Sequence, residues 1–180
     1  MPHKAQVSGP LEGHLAPVAL DEQSIFRAGH LKLHTTELLE VLDDCVLALE
    51  PSKLFINIGT NDLDLSEDPI PALIENYRKI LQRIRQRLPE CEIIMMAYYP
   101  VCREPKGFTP PDKRPRTKEV VDLGNGAAAE LAKEFSCQFI NVNHVLADAD
   151  GYLKPELASD SIHMWPNAYQ LILEELKPYL

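Results

Sequence analysis

Apolar positions recur along the chain with two different periods, and the switching between them predicts alternating helices and strands from about residue 35 onward. Thr35 and Thr36 offer hydroxyls to cap a helix, and Leu38, Leu39, Val41, Leu42, Cys45, Val46 and Leu49 repeat at roughly helical spacing through Glu50, where Pro51 stops it. Residues 54–58 form a short apolar run interrupted by Asn57, of the length expected for a strand buried on both faces. Leu73, Ile74, Tyr77, Ile80, Leu81, Ile84 and Leu88 make the stripe of a second helix, with Arg and Gln on its outer face. Residues 92–101, EIIMMAYYPV, read as the next strand, closed by Pro100. Residues 102–118 contain four prolines and several basic side chains and read as a surface loop. Helical spacing returns over residues 120–135 despite Gly124 and Gly126, which weaken it locally. CQFINV at residues 137–142 is a third strand, and residues 166–176 form a terminal helix with a proline in its first turn. Alternation of this kind implies right-handed βαβ crossovers, a mostly parallel sheet and helices on both faces, with functional groups gathered at the carboxyl ends of the strands.

Composition narrows the function classes. At 180 residues and 45% hydrophobic the chain is expected to form one domain with its own core. The net charge of −9, from 27 acidic against 18 basic side chains, argues against nucleic acid or an anionic membrane as the main partner. The one dense basic stretch, Lys113-Arg114-Pro115-Arg116 with Lys118, reads as a solvated loop. No N-terminal segment has the apolar core of a signal peptide and no run approaches the length of a membrane span, so a cytoplasmic location is expected. Cys45, Cys91, Cys102 and Cys137 lack CxxC spacing and read as free thiols in a reducing compartment.

Two short clusters carry the candidate chemistry. Gly59-Thr60-Asn61-Asp62 interrupts an apolar strand at its carboxyl end, where a glycine lets the chain turn and Asn61 can aim an amide donor over the sheet edge. Asp160-Ser161-Ile162-His163 stands just before the last helix. An Asp three residues ahead of a His can set its carboxylate on Nδ1 and leave Nε2 free as a general base. Either cluster alone is compatible with an ordinary Asx turn or a surface pair.

Together, at this separation and in this α/β context, the two blocks resemble those of the SGNH (GDSL-type) hydrolases, especially small acylhydrolases similar to platelet-activating-factor acetylhydrolase. FINIGTNDL, MMAYYPV and SDSIHMWPNAYQ carry the resemblance, which runs from about Thr35 to the C-terminus. It implies a three-layer α/β/α, flavodoxin-like fold and hydrolysis of a small ester, acetyl or another short acyl group, through a Ser-His-Asp triad without metal or cofactor. Carried onto this chain, Asn61 is an oxyanion-hole donor, Asp160 orients the imidazole and His163 is the general base, with Gly59 as the turn glycine and Asp62 as a structural hydrogen-bonding residue. The expected partner is a small-molecule ester, with no nucleic acid and no membrane insertion. The resemblance also admits a homo-oligomer.

The family's opening strand and its Gly-Asp-Ser or Gly-Ser-Ser nucleophile block are not matched in residues 1–34. By position, Ser8 in Gln6-Val7-Ser8-Gly9-Pro10 stands nearest the nucleophile and Gly29 nearest the second oxyanion donor. Divergence with loss of the nucleophile, or a segment read out of frame, accounts for that departure. A non-catalytic SGNH-like protein with a ligand-binding or interaction role is therefore the alternative to an esterase. A flavodoxin-like binding domain is more distant, since no glycine loop is present to cradle a phosphate. His30 and His34 are four apart without a third ligand, and Asp148-Ala149-Asp150-Gly151 lacks the first ligand of a calcium loop. Tyr98 and Tyr99 read as pocket lining or as core, and Trp165 as the wall of an acyl site or a cover for the last helix.

Overall fold

The computed structural model describes residues 33–104 and 116–180. Three strands, β1 (Lys53–Ile56), β2 (Glu92–Met96) and β3 (Gln138–Ile140), form a parallel sheet in the order β1-β2-β3. Lys53 stands opposite Glu92 and Ile94 opposite Gln138. The helices are α1 (Thr35–Cys45), α2 (Ile70–Arg87), α3 (Lys118–Glu134), the single turn α4 (Asn143–Leu146) and α5 (Pro166–Leu176). No helix among the described residues is long and apolar enough to cross a membrane.

Strand alternation divides the core into two layers. Ile56, Ile93 and Met95 point into one cluster with α1, α2 and α3, where Leu42, Ile80, Leu81 and Ile84 are fully buried. Ile94 and Ile140, with Phe55 and Met96 packed against them, face Leu146, Ala168 and Ile172 from α4 and α5 on the other side. The sheet lies between two helical layers, the α/β/α arrangement expected. Each fully buried Leu or Ile contributes about 1.5–3 kcal/mol.

A third, smaller cluster caps the carboxyl end of the sheet. Leu63, Leu73, Tyr98, Val101 and Val121 are buried there, with Ile162 packed against them.

Several elements end earlier than the sequence pattern suggests. The first helix stops at Cys45, gives way to a tight turn at Leu47–Leu49 and reaches Pro51 through Glu50 at φ +46°. Proline disfavours a helical residue before it, so the helix cannot run up to Glu50. Its cap also differs: His34 precedes it and Glu37 takes the His34 backbone N–H, while Thr35 turns its hydroxyl elsewhere. The second strand ends at Met96 rather than at Val101. Ala97 N–H beyond it still reaches the Ile140 carbonyl at 2.9 Å, but at Tyr98 side-chain amides replace the ladder: Asn125 accepts from Tyr98 N–H at 2.7 Å and donates to its carbonyl at 3.0 Å, and Asn143 donates to that same carbonyl at 2.9 Å. Asn57 likewise donates to the Ala97 carbonyl at 3.0 Å. Gly124 has a packing reason to be glycine, since a Cβ there would stand 3.1 Å from the Tyr98 ring.

Candidate active site

The turn after β1 is built around glycine. Gly59 adopts φ +103°, and an added Cβ would come within 2.3 Å of Leu73 Cδ1 and 2.8 Å of Tyr98 Oη. Tyr98 Oη donates to the Ile58 carbonyl at 3.0 Å, and Asp62 N–H closes the turn onto the Gly59 carbonyl at 3.0 Å. Burial of that phenol pushes its pKa far above the ordinary tyrosine value, with the Asp62 charge adding to the effect, so it remains a neutral donor.

Two buried carboxylates tie the turn to different parts of the chain. Asp62 accepts from Thr35 N–H at 3.1–3.2 Å and from Thr35 Oγ1 at 2.5 Å, which ties the turn to the first residue of α1. Asp64 accepts from Arg116 Nε at 2.9 Å and Nη2 at 2.7 Å, both side chains being 7% exposed. Arg116 therefore belongs to the turn and not to a solvated basic loop, in contrast to the sequence reading of that stretch. No local pattern links an arginine to an aspartate 52 positions earlier, so spacing alone could not find the pair. Immediately before Asp62, Asn61 donates one amide N–H to the Leu33 carbonyl at 3.2 Å. Its second amide hydrogen has no partner among the described residues.

The second block is a closed loop before α5. Ala158 bridges Met164, Ser159 N–H donates to the His163 carbonyl at 2.9 Å and Trp165 N–H to the Leu157 carbonyl at 2.8 Å. Within it, Asp160 Oδ1 accepts from the N–H groups of Ile162 at 2.9 Å and His163 at 2.7 Å, while Oδ2 meets His163 Nδ1 at 2.6 Å. One carboxylate thus fixes both the loop backbone and the ring. Partial burial pushes the Asp160 carboxyl up, but the two amides and the imidazole outweigh it and leave its pKa below the ordinary aspartate value. A carboxylate on Nδ1 selects the tautomer whose Nε2 carries a lone pair, and the ring is 70% exposed.

The two blocks meet at one end of the sheet. Cys102, at the exit of the β2 segment, donates its backbone N–H to the Ser161 carbonyl at 3.0 Å, and its Sγ lies 3.1 Å from the Asp160 carbonyl. Ile162, between Asp160 and His163, packs into the cluster that contains Leu63, the residue after Asp62. The loop bearing His163 and the turn bearing Asn61 thus each send a neighbouring residue into one cluster. Trp165 and Tyr169 stand 52% and 38% exposed just beyond His163. Ser8 and Gly29 lie outside the described residues, as does any strand formed by residues 1–32.

Comparison with known proteins gives this arrangement a family. The sequence matches the profile of the GDSL-like lipase/acylhydrolase family over residues 19–171. The chain belongs to that family. The match begins ahead of Thr35, so the likeness reaches further toward the N-terminus than the motifs suggest; Gly29 falls inside it and Ser8 ahead of it. Among solved structures, the chain is similar to a Streptococcus pneumonia protein assigned as a platelet activating factor, at 30% identity and a TM-score of 0.72 over 82% of this chain and 68% of that one. A GDSL-like lipase from Bacteroides thetaiotaomicron (18% identity, TM-score 0.66, 83% and 73% covered) shares the fold. So does the acetylxylan esterase Axe2 from Geobacillus stearothermophilus (17%, TM-score 0.61, 81% and 67% covered). Among curated proteins none matches the chain.

Proposed function

We propose that this GDSL-family chain is a serine esterase that hydrolyses a small acyl ester, with His163 as general base, Asp160 as its orienting carboxylate, Asn61 as an oxyanion donor and Ser8 as nucleophile. The observation that carries the reading is the 2.6 Å contact between Asp160 Oδ2 and His163 Nδ1, which leaves Nε2 as the lone-pair nitrogen of a largely exposed ring in a member of a lipase/acylhydrolase family. In this scheme the serine Oγ attacks the ester carbonyl carbon while its proton passes to His163 Nε2. The carbonyl oxygen becomes an oxyanion and takes the free amide hydrogen of Asn61, with the Gly29 N–H as second donor. The imidazolium then returns its proton to the departing alkoxide, leaving an acyl-enzyme. Water, deprotonated by the same Nε2, releases the acid and restores the serine. An acetyl or similarly short acyl group is the expected substrate, supported by the likeness to an acetylxylan esterase fold, and no metal or cofactor enters the scheme.

A second reading, a non-catalytic family member with a ligand-binding role, has one observation in its favour: Ser8 stands ahead of the residues that match the family profile. Labelling the purified chain with a fluorophosphonate separates the two. The esterase reading predicts one labelled serine, Ser8, with labelling lost in Ser8→Ala and slowed about 10²–10³-fold in Asn61→Ala. Absence of labelling in the wild-type chain supports the non-catalytic reading, and labelling at another serine moves the nucleophile there.

A further inference from the structure

We infer that Arg116 is a positioning residue for Asn61, clamping the turn that presents its amide; the inference rests on the esterase reading above. Arg116 uses all three guanidinium nitrogens on this turn. Nε and Nη2 grip both oxygens of Asp64, and Nη1 donates to Thr60 Oγ1 at 3.1 Å. Thr60 precedes Asn61 and Asp64 lies three residues beyond it, so one rigid, planar group spans the residue that has to aim the donor. The same turn is held independently by Asp62 on Thr35. A charge pair at 7% exposure persists only with its geometry satisfied, and here every nitrogen of the fork has a partner.

Position in the chain strengthens the argument. Arg116 is adjacent to Thr117, whose side chain caps α3 by accepting from Val120 N–H at 3.3 Å, so the guanidinium is carried by the start of a 17-residue helix. That helix packs Val121 and Gly124 against Leu63 and Tyr98, beneath the same turn. The clamp therefore has a rigid base. An oxyanion donor acts through its placement, and a shift of about 1 Å lowers the rate about 10²-fold while leaving ground-state binding nearly unchanged. Lysine at 116 keeps the charge but gathers its donors on one nitrogen and cannot reproduce the planar fork that grips both Asp64 oxygens while reaching Thr60.

The test compares wild type, Arg116→Lys and Thr60→Val by p-nitrophenyl acetate kinetics and by the side-chain amide NMR signals of Asn61, Asn125 and Asn143. The expected result is a fall in kcat of about 10- to 100-fold in Arg116→Lys with KM within about twofold, and a smaller fall in Thr60→Val, which keeps the ion pair. The Asn61 amide signals shift or broaden in both variants while those of Asn125 and Asn143 stay in place. Unchanged Asn61 signals in both variants overturn the inference, as does a perturbation spread equally over all three asparagines. If the wild-type chain shows no turnover, the esterase reading fails by itself and the amide signals still decide whether Arg116 positions Asn61.

Discussion

Gly59 is the residue on which the turn after β1 depends most directly. Its φ of +103° is strained for any side chain, and the space a Cβ would need is held by Leu73 and Tyr98. Gly59→Ala is expected to destabilise the fold by about 2–5 kcal/mol, adding backbone strain to overpacking, as measured by urea denaturation. A loss below about 1 kcal/mol would contradict this account of the turn. Asp160 gives a prediction of different kind. Its folded pKa is depressed, so the stabilisation it contributes is complete above the unfolded-state value of about 3.9 and is lost as pH falls through the folded value. A carboxyl-carbon NMR titration should place its midpoint below that of an unfolded aspartate. His163→Ala should raise the midpoint without restoring it, because the amides of Ile162 and His163 remain as donors. A wild-type midpoint at or above about 3.9 would show that these bonds do not hold the carboxylate. At this scale the Asp160–His163 pairing was legible, since a three-residue spacing suffices to bring the two side chains together. The Arg116–Asp64 pair was not, because it is made by tertiary approach.

Elements were easier to recognise from the sequence than to bound. α5 occupies the predicted residues 166–176, where a proline at the start and a regular apolar stripe leave little ambiguity. Strand ends were misjudged because apolar residues continue past the ladder: Tyr98 and Val101 are buried but belong to the cap over the sheet. At Tyr98 the backbone is satisfied by amide side chains from α3 and α4, which no periodicity encodes. Asn125→Ala removes both the acceptor for Tyr98 N–H and a donor to its carbonyl. The expected loss is about 1–3 kcal/mol, with faster hydrogen exchange at the Tyr98 amide. Wild-type exchange at that amide in the variant would mean Asn125 does not stand in for a strand. Thr35 shows a similar competition: a hydroxyl read as a helix cap is taken by Asp62, and the cap passes to His34 and Glu37.

At the scale of the molecule, the three-layer sandwich brings two sequence blocks a hundred residues apart to one end of a short parallel sheet. Helices cover both faces of the sheet, and its carboxyl end is where Gly59–Asp62 and Asp160–His163 both lie. The α/β/α class followed from alternating periods, and the family followed from the two blocks. The nucleophile did not, because residues 1–34 carry neither the expected strand pattern nor its Gly-x-Ser signature. The measurement that bears most directly on the esterase reading is p-nitrophenyl acetate hydrolysis by the full chain beside His163→Ala and Asp160→Asn. The account predicts turnover in the wild type, reduced about 10²–10⁴-fold in either variant. Wild-type turnover that survives His163→Ala, or no turnover above buffer in any of the three, would contradict it.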